Sequence, residues 1–496
     1  MPVSAPSVRP QPRARALTLT VVTVLAFLRL AHIHLLWADE DFHLAAALNL
    51  LHGRVPYRDF LYDKPPLSAF YYLLTGAHAG WPLRLLDSGY VLLACYLIYR
   101  IARDWWGEKA GQAAALLFAF FMTFYLPSAV ISFAPDALMI VPHLAAIYCV
   151  NKRSAIWSGF WTGIAFLINT KAVFVLAVCG LWLVPVMWDR ERVRRDLTVA
   201  WSRLALGFLI PLLGAFVLLL ATGAWQGYLD QVWLWGFRYA KQPPAANPFR
   251  TGLTLTANWL GFHAALLLAA VFALWRVKPA DRVKLIVWLV FSFMAVSIGG
   301  RFSPRYFLQV LPPLVVAGSR GFTLLYHKRR LYAAGLALLL LIPFVRFGPR
   351  YAMLAADNFH HREPQWADVA MDLDNQHAAA KIRSLAQPGD TLFVWGLRSS
   401  IYVYSRMISD SRFWDSEPLT GVPGDRHLSA TTVIDSGPAA EYRAQLVRSN
   451  PAFIVDGLGP INPKLAPGVY PELRPWLANY RIVGKTQLAL IYKRSE

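Results

Sequence analysis

The chain has 496 residues, 56% of them hydrophobic and only 16% charged, with a mean hydropathy of +0.39 and a formal net charge of +20. A soluble domain usually carries about a quarter charged residues, so the composition excludes an ordinary soluble enzyme as well as a disordered or collagen-like chain and points to a membrane protein. The basic excess is not a nucleic-acid stripe: residues 1–347 hold 33 Lys and Arg against 14 Asp and Glu, while residues 348–496 hold 16 against 15, so nearly all of it lies in the apolar part.

In chain order, stretches apolar enough to enter a hydrocarbon layer about 30 Å thick occur near 17–36, 82–100, 111–126, 134–150, 155–169, 172–188, 203–222, 258–275, 284–299, 306–324 and 331–346. This predicts about eleven transmembrane helices, the first retained because no small-residue cleavage site precedes Trp37. Alternate connections carry the cations: Arg9, Arg13 and Arg15; Arg100, Arg103 and Lys109; Lys152 and Arg153; Arg190, Arg192, Arg194 and Arg195; Arg276, Lys278, Arg282 and Lys284; Lys328, Arg329 and Arg330. The positive-inside rule places these in the cytoplasm. The segments 37–81, 127–133, 170–171, 223–257, 300–305 and everything after 347 are then extracytoplasmic. Cys95, Cys149 and Cys179 each sit in an apolar run and support neither a disulfide framework nor a Cys-based zinc site. No GxxxxGK[ST] phosphate loop and no GxSxG elbow occurs.

The outward segments hold acids and cations that membrane insertion does not demand. The first begins WADEDFHLAAALNLLHGRVPYRDFLYDKPPL at Trp37. Asp39, Glu40 and Asp41 stand at the start of a helix predicted over 41–52, whose apolar residues recur at three- and four-residue steps as in an amphipathic helix lying in the interface. Three adjacent acids exceed what a helix cap needs. Tyr57, Arg58, Asp59, Asp63 and Lys64 follow, with Pro65 and Pro66 to stiffen the loop; mixed Arg, Lys and Asp next to lipid suit a site that holds a phosphate beside a carboxylate base. Asp136 opens the fourth span and Lys171 the turn before the sixth, both on the same side as the acidic cluster. Arg301 and Arg305 in GGRFSPRYFLQVLPPL add two cations there. In the segment 223–257, Trp225, Tyr228, Val232, Trp235 and Tyr239 repeat at three and four, an aromatic helix face fit for the membrane interface or for one wall of a groove that admits an isoprenoid chain, with Arg238 and Lys241 near its phosphate. The histidines form no metal-ligand pattern.

Together the loop-one acids, the GRVPYRDF and DKPPL runs, Asp136, and Arg305-Tyr306 with Pro312-Pro313 resemble the GT-C superfamily of polyprenyl-phosphate-sugar glycosyltransferases, in particular the family 39 branch of protein O-mannosyltransferases and the bacterial aminoarabinose transferase that modifies lipid A. The resemblance covers about residues 17–325. It implies a polytopic α-helical GT-C fold and an inverting transfer of one sugar from a polyprenyl phosphate carrier to a lipid, polysaccharide or protein acceptor outside the inner membrane of a bacterium. It also implies site roles: Asp39 as catalytic carboxylate, Glu40 orienting the loop or sharing that task, Asp136 supporting the base or the acceptor, and Arg58, Lys64, Arg301 and Arg305 on the leaving phosphate. Tyr57, Trp225, Trp235, Tyr239 and Tyr306 would line the donor groove. Asp41 is outside the family pair, so the base is Asp39 or Asp41. No cofactor is called for, a divalent metal is left open, and no nucleic acid is expected as a partner. A carrier-lipid or glycolipid transporter and a non-catalytic envelope-binding homologue are the competing classes.

The last 149 residues read as a soluble α/β domain: a helix over 366–385, buried strands at TLFVWG (391–396) and AFIVDG (452–457), and a terminal hairpin over 480–494. The expected division is a membrane domain over 1–347, carrying the outward loop 37–81, followed by this domain over 348–496.

Overall fold

The computed structural model describes residues 12–184, 190–241, 247–434 and 437–495. Each predicted apolar stretch carries helix within these residues. Five helices are long and apolar enough by themselves to cross a membrane: Pro12–His32, Trp81–Trp106, Asp196–Ala221, Pro279–Gly300 and Arg330–Phe359. The pair Pro248–Phe262 and Ala264–Arg276, bent by 88°, makes a sixth if it is counted as one span. Ala155–Ile168 and Ala172–Trp182 are apolar but short; at 1.5 Å rise per residue they fall well below the hydrocarbon thickness. Length and composition thus support five or six of the eleven expected crossings among the described residues. The chain is an integral membrane protein. Arg9 and the end of the 172–188 stretch lie outside the described residues, as do the side chains of Arg190, Arg192, Arg194, Arg195 and Lys328.

Small residues set the closest helix packing. Ala155–Ile168 lies against Arg190–Ala221 so tightly that a Cβ on Gly159 would sit 2.0 Å from the carbonyl oxygen of Leu204, and one on Gly207 would sit 2.0 Å from that of Ile156. Apolar helices in lipid gain little from hydrophobicity against one another, so backbone proximity of this kind supplies dispersion contact instead.

Two expectations about boundaries change. The last apolar helix does not stop at residue 346. After a break at Leu340 it runs on as Leu341–Phe359, and the chain turns at His360 and His361, where His361 takes φ 53°. The division expected after residue 347 therefore falls inside a helix, whose end is tied to the first span by Asn358 Nδ2 donating to the Ala31 carbonyl (2.9 Å). The helix expected over 41–52 forms as Glu40–Leu51, but it is not amphipathic: Glu40, His43, Leu44, Ala45, Ala46, Ala47, Leu48 and Asn49 are all buried. The C-terminal domain covers the face that a bare interfacial helix would leave wet.

That domain is built on one mixed sheet. Strands β1 (Leu392–Trp395) and β2 (Phe453–Asp456) are buried at every position and pair in parallel, which is why both read as uninterrupted apolar runs. Strands β3 (Tyr480–Lys485) and β4 (Leu490–Arg494) form the terminal hairpin, and β4 pairs antiparallel to β2, giving the order β1-β2-β4-β3. The domain seats on the first outward loop. Trp414 Nε1 donates to the Leu61 carbonyl (2.8 Å) and its ring lies 4.7 Å from that of Phe42. Arg54 donates to the carbonyls of Ser409 (2.5 Å) and Ser411 (2.9 Å).

Candidate active site

The acidic turn is held from beneath by a buried ion network. Arg84, four residues into the helix Trp81–Trp106, donates to both oxygens of Glu40 (2.6 and 2.9 Å), to Asp87 (3.0 Å), and to the carbonyls of Leu35 (2.7 Å) and His32 (3.3 Å). Glu40 also accepts from the Trp37 N–H (2.7 Å). Arg84, Glu40 and Asp87 are fully buried. Both oxygens of Glu40 are thus engaged, and of the two tasks implied for it this geometry fits orienting the loop.

Asp39 sits just above this network, at the N-terminal boundary of the helix Glu40–Leu51, with φ 74° and no side-chain cap bond of its own. A non-glycine residue in that region is strained by about 1–3 kcal/mol and persists only where its surroundings fix it. Its carboxylate is half exposed and ion-pairs with Arg305. Asp41 differs. It is turned inward, accepting from its neighbour Phe42 N–H (2.9 Å) and from Ser400 N–H of the C-terminal domain (3.1 Å), and burial pushes its carboxyl up to about 7.

Beside Arg305, around Tyr306, the structure gathers three further cations, Lys64, Lys171 and Arg301. Lys171 pairs with Asp136 at 3.1 Å and stands with its Nζ 3.0 Å from the centre of the Tyr306 ring, a cation–π contact of the strong, desolvated kind. Gln309 holds the backbone of Asp136 through its carbonyl (3.1 Å). Tyr306 lies in the electrostatic reach of Asp136, Arg305, Lys64 and Arg301. Arg301 stacks on Tyr239, 3.5 Å from the ring centre, and ion-pairs with Asp425 of the C-terminal domain. Lys64 pairs with Asp63. The core of the cluster is therefore four cations, Lys64, Lys171, Arg301 and Arg305, each already facing one carboxylate.

Two expectations are corrected by this geometry. Arg58 does not join the cluster: its exposed guanidinium forms a double hydrogen bond with Asp59 (2.7 and 2.9 Å) and donates to the Thr222 carbonyl (3.0 Å). The aromatic segment is not one straight face, because a π-helical turn over Leu229–Leu234 separates Trp225–Tyr228 from Trp235–Ala240 and rotates the second half relative to the first. Trp225 packs on Phe216 and Tyr228, and Tyr228 on Tyr57; Tyr239 reaches the cations through Arg301, and Trp235 is half-buried. The segment nevertheless braces the loop. Gln231 accepts from the Tyr62 N–H and donates to the Tyr57 carbonyl (2.8 Å each), and Gly227 passes so close that a Cβ there would lie 2.3 Å from the Tyr57 carbonyl oxygen.

Sequence reading missed the anchors. Arg84 and Asp87, three apart within a predicted span, carried a usable signal, since ionisable residues at that depth are rarely idle. Asp415, Glu417 and Asp425 carried none, because only the fold brings them to Asp63, Lys64 and Arg301. Burial pushes the carboxyls of Asp415 and Glu417 up to about 7. Among the described residues no group of three or more His, Cys, Asp or Glu is placed to hold a metal ion.

The comparisons agree with this architecture. Residues 63–215 match the family model described as dolichyl-phosphate-mannose-protein mannosyltransferase. The structure is similar to that of ArnT from Cupriavidus metallidurans bound to undecaprenyl phosphate, at 17% identity with a TM-score of 0.58, covering 96% of this chain and 97% of that one. The apo ArnT structure matches at 16% identity and a TM-score of 0.56 over the same shares of the two chains. The apo oligosaccharyltransferase of Archaeoglobus fulgidus matches at 13% identity and a TM-score of 0.50, covering 97% of this chain and 74% of that one. No curated protein sequence matches the chain. The resemblance to GT-C glycosyltransferases carried by the motifs thus extends to a family model and to the fold.

Proposed function

We propose that the protein is a glycosyltransferase that moves one sugar from a polyprenyl-phosphate-linked donor to an acceptor on the extracytoplasmic face of the membrane, with inversion at the anomeric carbon. The observation that carries this reading is the meeting of a half-exposed carboxylate, Asp39, with Arg305 at the edge of a cluster that also holds Lys64, Lys171 and Arg301. A base beside preorganised cations is what displacement at a phosphate-activated carbon requires.

In the proposed reaction the acceptor hydroxyl attacks the anomeric carbon. The bond from that carbon to the phosphate oxygen breaks with its electron pair going to the leaving polyprenyl phosphate, and the hydroxyl proton passes to Asp39. Lys64, Arg301 and Arg305 meet the phosphate, Arg305 exchanging Asp39 for it. Asp136, steadied by Lys171 and Gln309, binds the acceptor or supports the base. Tyr239 and Tyr306 flank the donor, and the half around Tyr57 and Trp225 shapes the approach from the bilayer. An energy source attached to a lipid fits an outward site, and on this reading the protein sits in the inner membrane of a bacterium with its C-terminal domain outside. The ArnT structure to which this fold is similar is bound to undecaprenyl phosphate, which supports a carrier of that class.

The test is transfer of label from a radiolabelled polyprenyl phosphate sugar to acceptor in membranes carrying the full-length chain. Transfer with release of polyprenyl phosphate is expected. Movement of labelled carrier across the bilayer with the sugar bond intact would instead make the protein a transporter.

A further inference from the structure

The segment 33–39 that presents Asp39 belongs to no regular helix or strand, yet it holds a non-glycine residue at positive φ. Something must pin it. From the membrane side the pins are Arg84 on the carbonyls of His32 and Leu35, Glu40 on the Trp37 N–H, and Ser132 Oγ donating to the Ala38 carbonyl (2.9 Å). None of these engages the Leu36 N–H or the His34 carbonyl.

Both of those are taken by the C-terminal domain. Asp372, in the first turn of the helix Ala370–Arg383, accepts the Leu36 N–H on Oδ2 at 3.0 Å. Gln376, one helical turn later, donates to the His34 carbonyl (2.8 Å) and to the same Asp372 oxygen (3.0 Å). Tyr404 donates its hydroxyl to the Asp372 carboxyl (3.0 Å) and so fixes its rotamer. The exchange is reciprocal: Asp41, two residues past Asp39, accepts from Ser400 N–H at the start of the helix Ser400–Ser405. Asp372 and Asp41 are both held away from water, facing Glu40 and each other in addition to these donors.

We infer that Asp372, aided by Gln376, is a positioning residue for the transfer site: the C-terminal domain is the outer jaw of a clamp on residues 33–39 and sets the geometry of Asp39 without touching substrate. This rests on the reading of Asp39 as the base. It gives the domain a task that neither a passive cap nor an acceptor-docking module would have, and it assigns Asp41 to the clamp.

The test uses full-length protein in detergent and reads two quantities separately: amide hydrogen exchange in peptides covering 33–43, and the transfer kinetics with a labelled polyprenyl phosphate sugar. Asp372→Ala should speed exchange at Leu36 about tenfold, the factor expected for loss of one buried hydrogen bond. It should lower kcat by a similar factor with the donor KM changed less than about twofold, the split expected when ground-state binding is untouched. Asp372→Asn, which keeps an acceptor oxygen, should restore both. Gln376→Ala provides a milder cut at His34 should Asp372→Ala fail to fold, and the same local loosening is expected. Unchanged exchange over 33–43 in a folded Asp372→Ala protein would overturn the inference, as would loosening spread equally through β1 and β2 in both variants. A wild-type protein that transfers no sugar but shows the local exchange pattern would defeat the functional reading and leave the clamp standing.

Discussion

Replacing Arg84 with Met retains a long unbranched side chain and removes only the guanidinium. In the wild type that group makes five hydrogen bonds, to Glu40 twice, Asp87, Leu35 and His32, in a site where all three charged side chains are fully buried. Breaking one buried pair costs about 3–5 kcal/mol because the surviving charge is stranded. Here one cation serves two carboxylates, so Arg84→Met should cost about 5 kcal/mol, a large share of the roughly 5–15 kcal/mol that usually separates folded from unfolded protein. For a chain of this length that corresponds to a fall in melting temperature of roughly 5–10 °C. Scanning fluorimetry of purified protein at fixed heating rate measures it, with unfolding half-life at one temperature as the second readout, since membrane proteins commonly unfold irreversibly. The double variant Arg84→Met, Glu40→Gln leaves Asp87 facing the buried Arg29, strands no charge and should recover at least half of the loss. An Arg84→Met protein melting within about 1 °C of wild type, or a double variant less stable than the single one, would refute the idea that this network is an electrostatic anchor under the acidic turn.

Gly227→Ala places a methyl 2.3 Å from the Tyr57 carbonyl oxygen and should destabilise by about 1–3 kcal/mol, read as a lower melting temperature and faster proteolysis in the loop around Tyr57. Asp41→Asn should retain transfer within about threefold of wild type, because both oxygens of Asp41 are engaged by backbone N–H groups, Oδ1 by Phe42 and Oδ2 by Ser400, and the amide keeps an acceptor for one of them. Interdomain docking should weaken with rising pH. Burial raises the Asp41 and Asp372 carboxyls from 3.8 to about 7, so the docked state binds protons that the open state releases, and the stabilisation is full below the ordinary carboxylate value and lost as pH passes through about 7. Melting temperatures between pH 6 and 8 should therefore fall more steeply for wild type than for the Asp41→Asn, Asp372→Asn double variant.

Much of this molecule is readable because its strongest signals are local. Apolar runs locate the helices, and VW or IVD runs bounded by glycine mark the two buried strands β1 and β2. Four motifs in order carry the resemblance, and the acids and cations they name lie near one another, with Arg58 the exception: its exposed guanidinium is held by Asp59 and the Thr222 carbonyl. What was not legible depends on tertiary placement. The burial of the helix Glu40–Leu51 comes from a domain more than three hundred residues away, as do the Ser400 bond to Asp41 and the Leu36 bond to Asp372. The π-turn at Leu229–Leu234 broke a periodicity that looked helical throughout. The overrun of the last helix to Phe359 escaped because Arg346, Arg350 and Asp357 ended the apolar run before they ended the helix.

The central claim is that Asp39 is the base of a sugar transfer. The most direct measurement is the single-turnover rate from a labelled polyprenyl phosphate sugar in membranes containing wild type or Asp39→Asn at matched expression. Loss of positioned general-base assistance typically costs about 10²–10⁴-fold, and a fall of that size with donor binding retained is the predicted result. Turnover by Asp39→Asn at the wild-type rate would contradict the account.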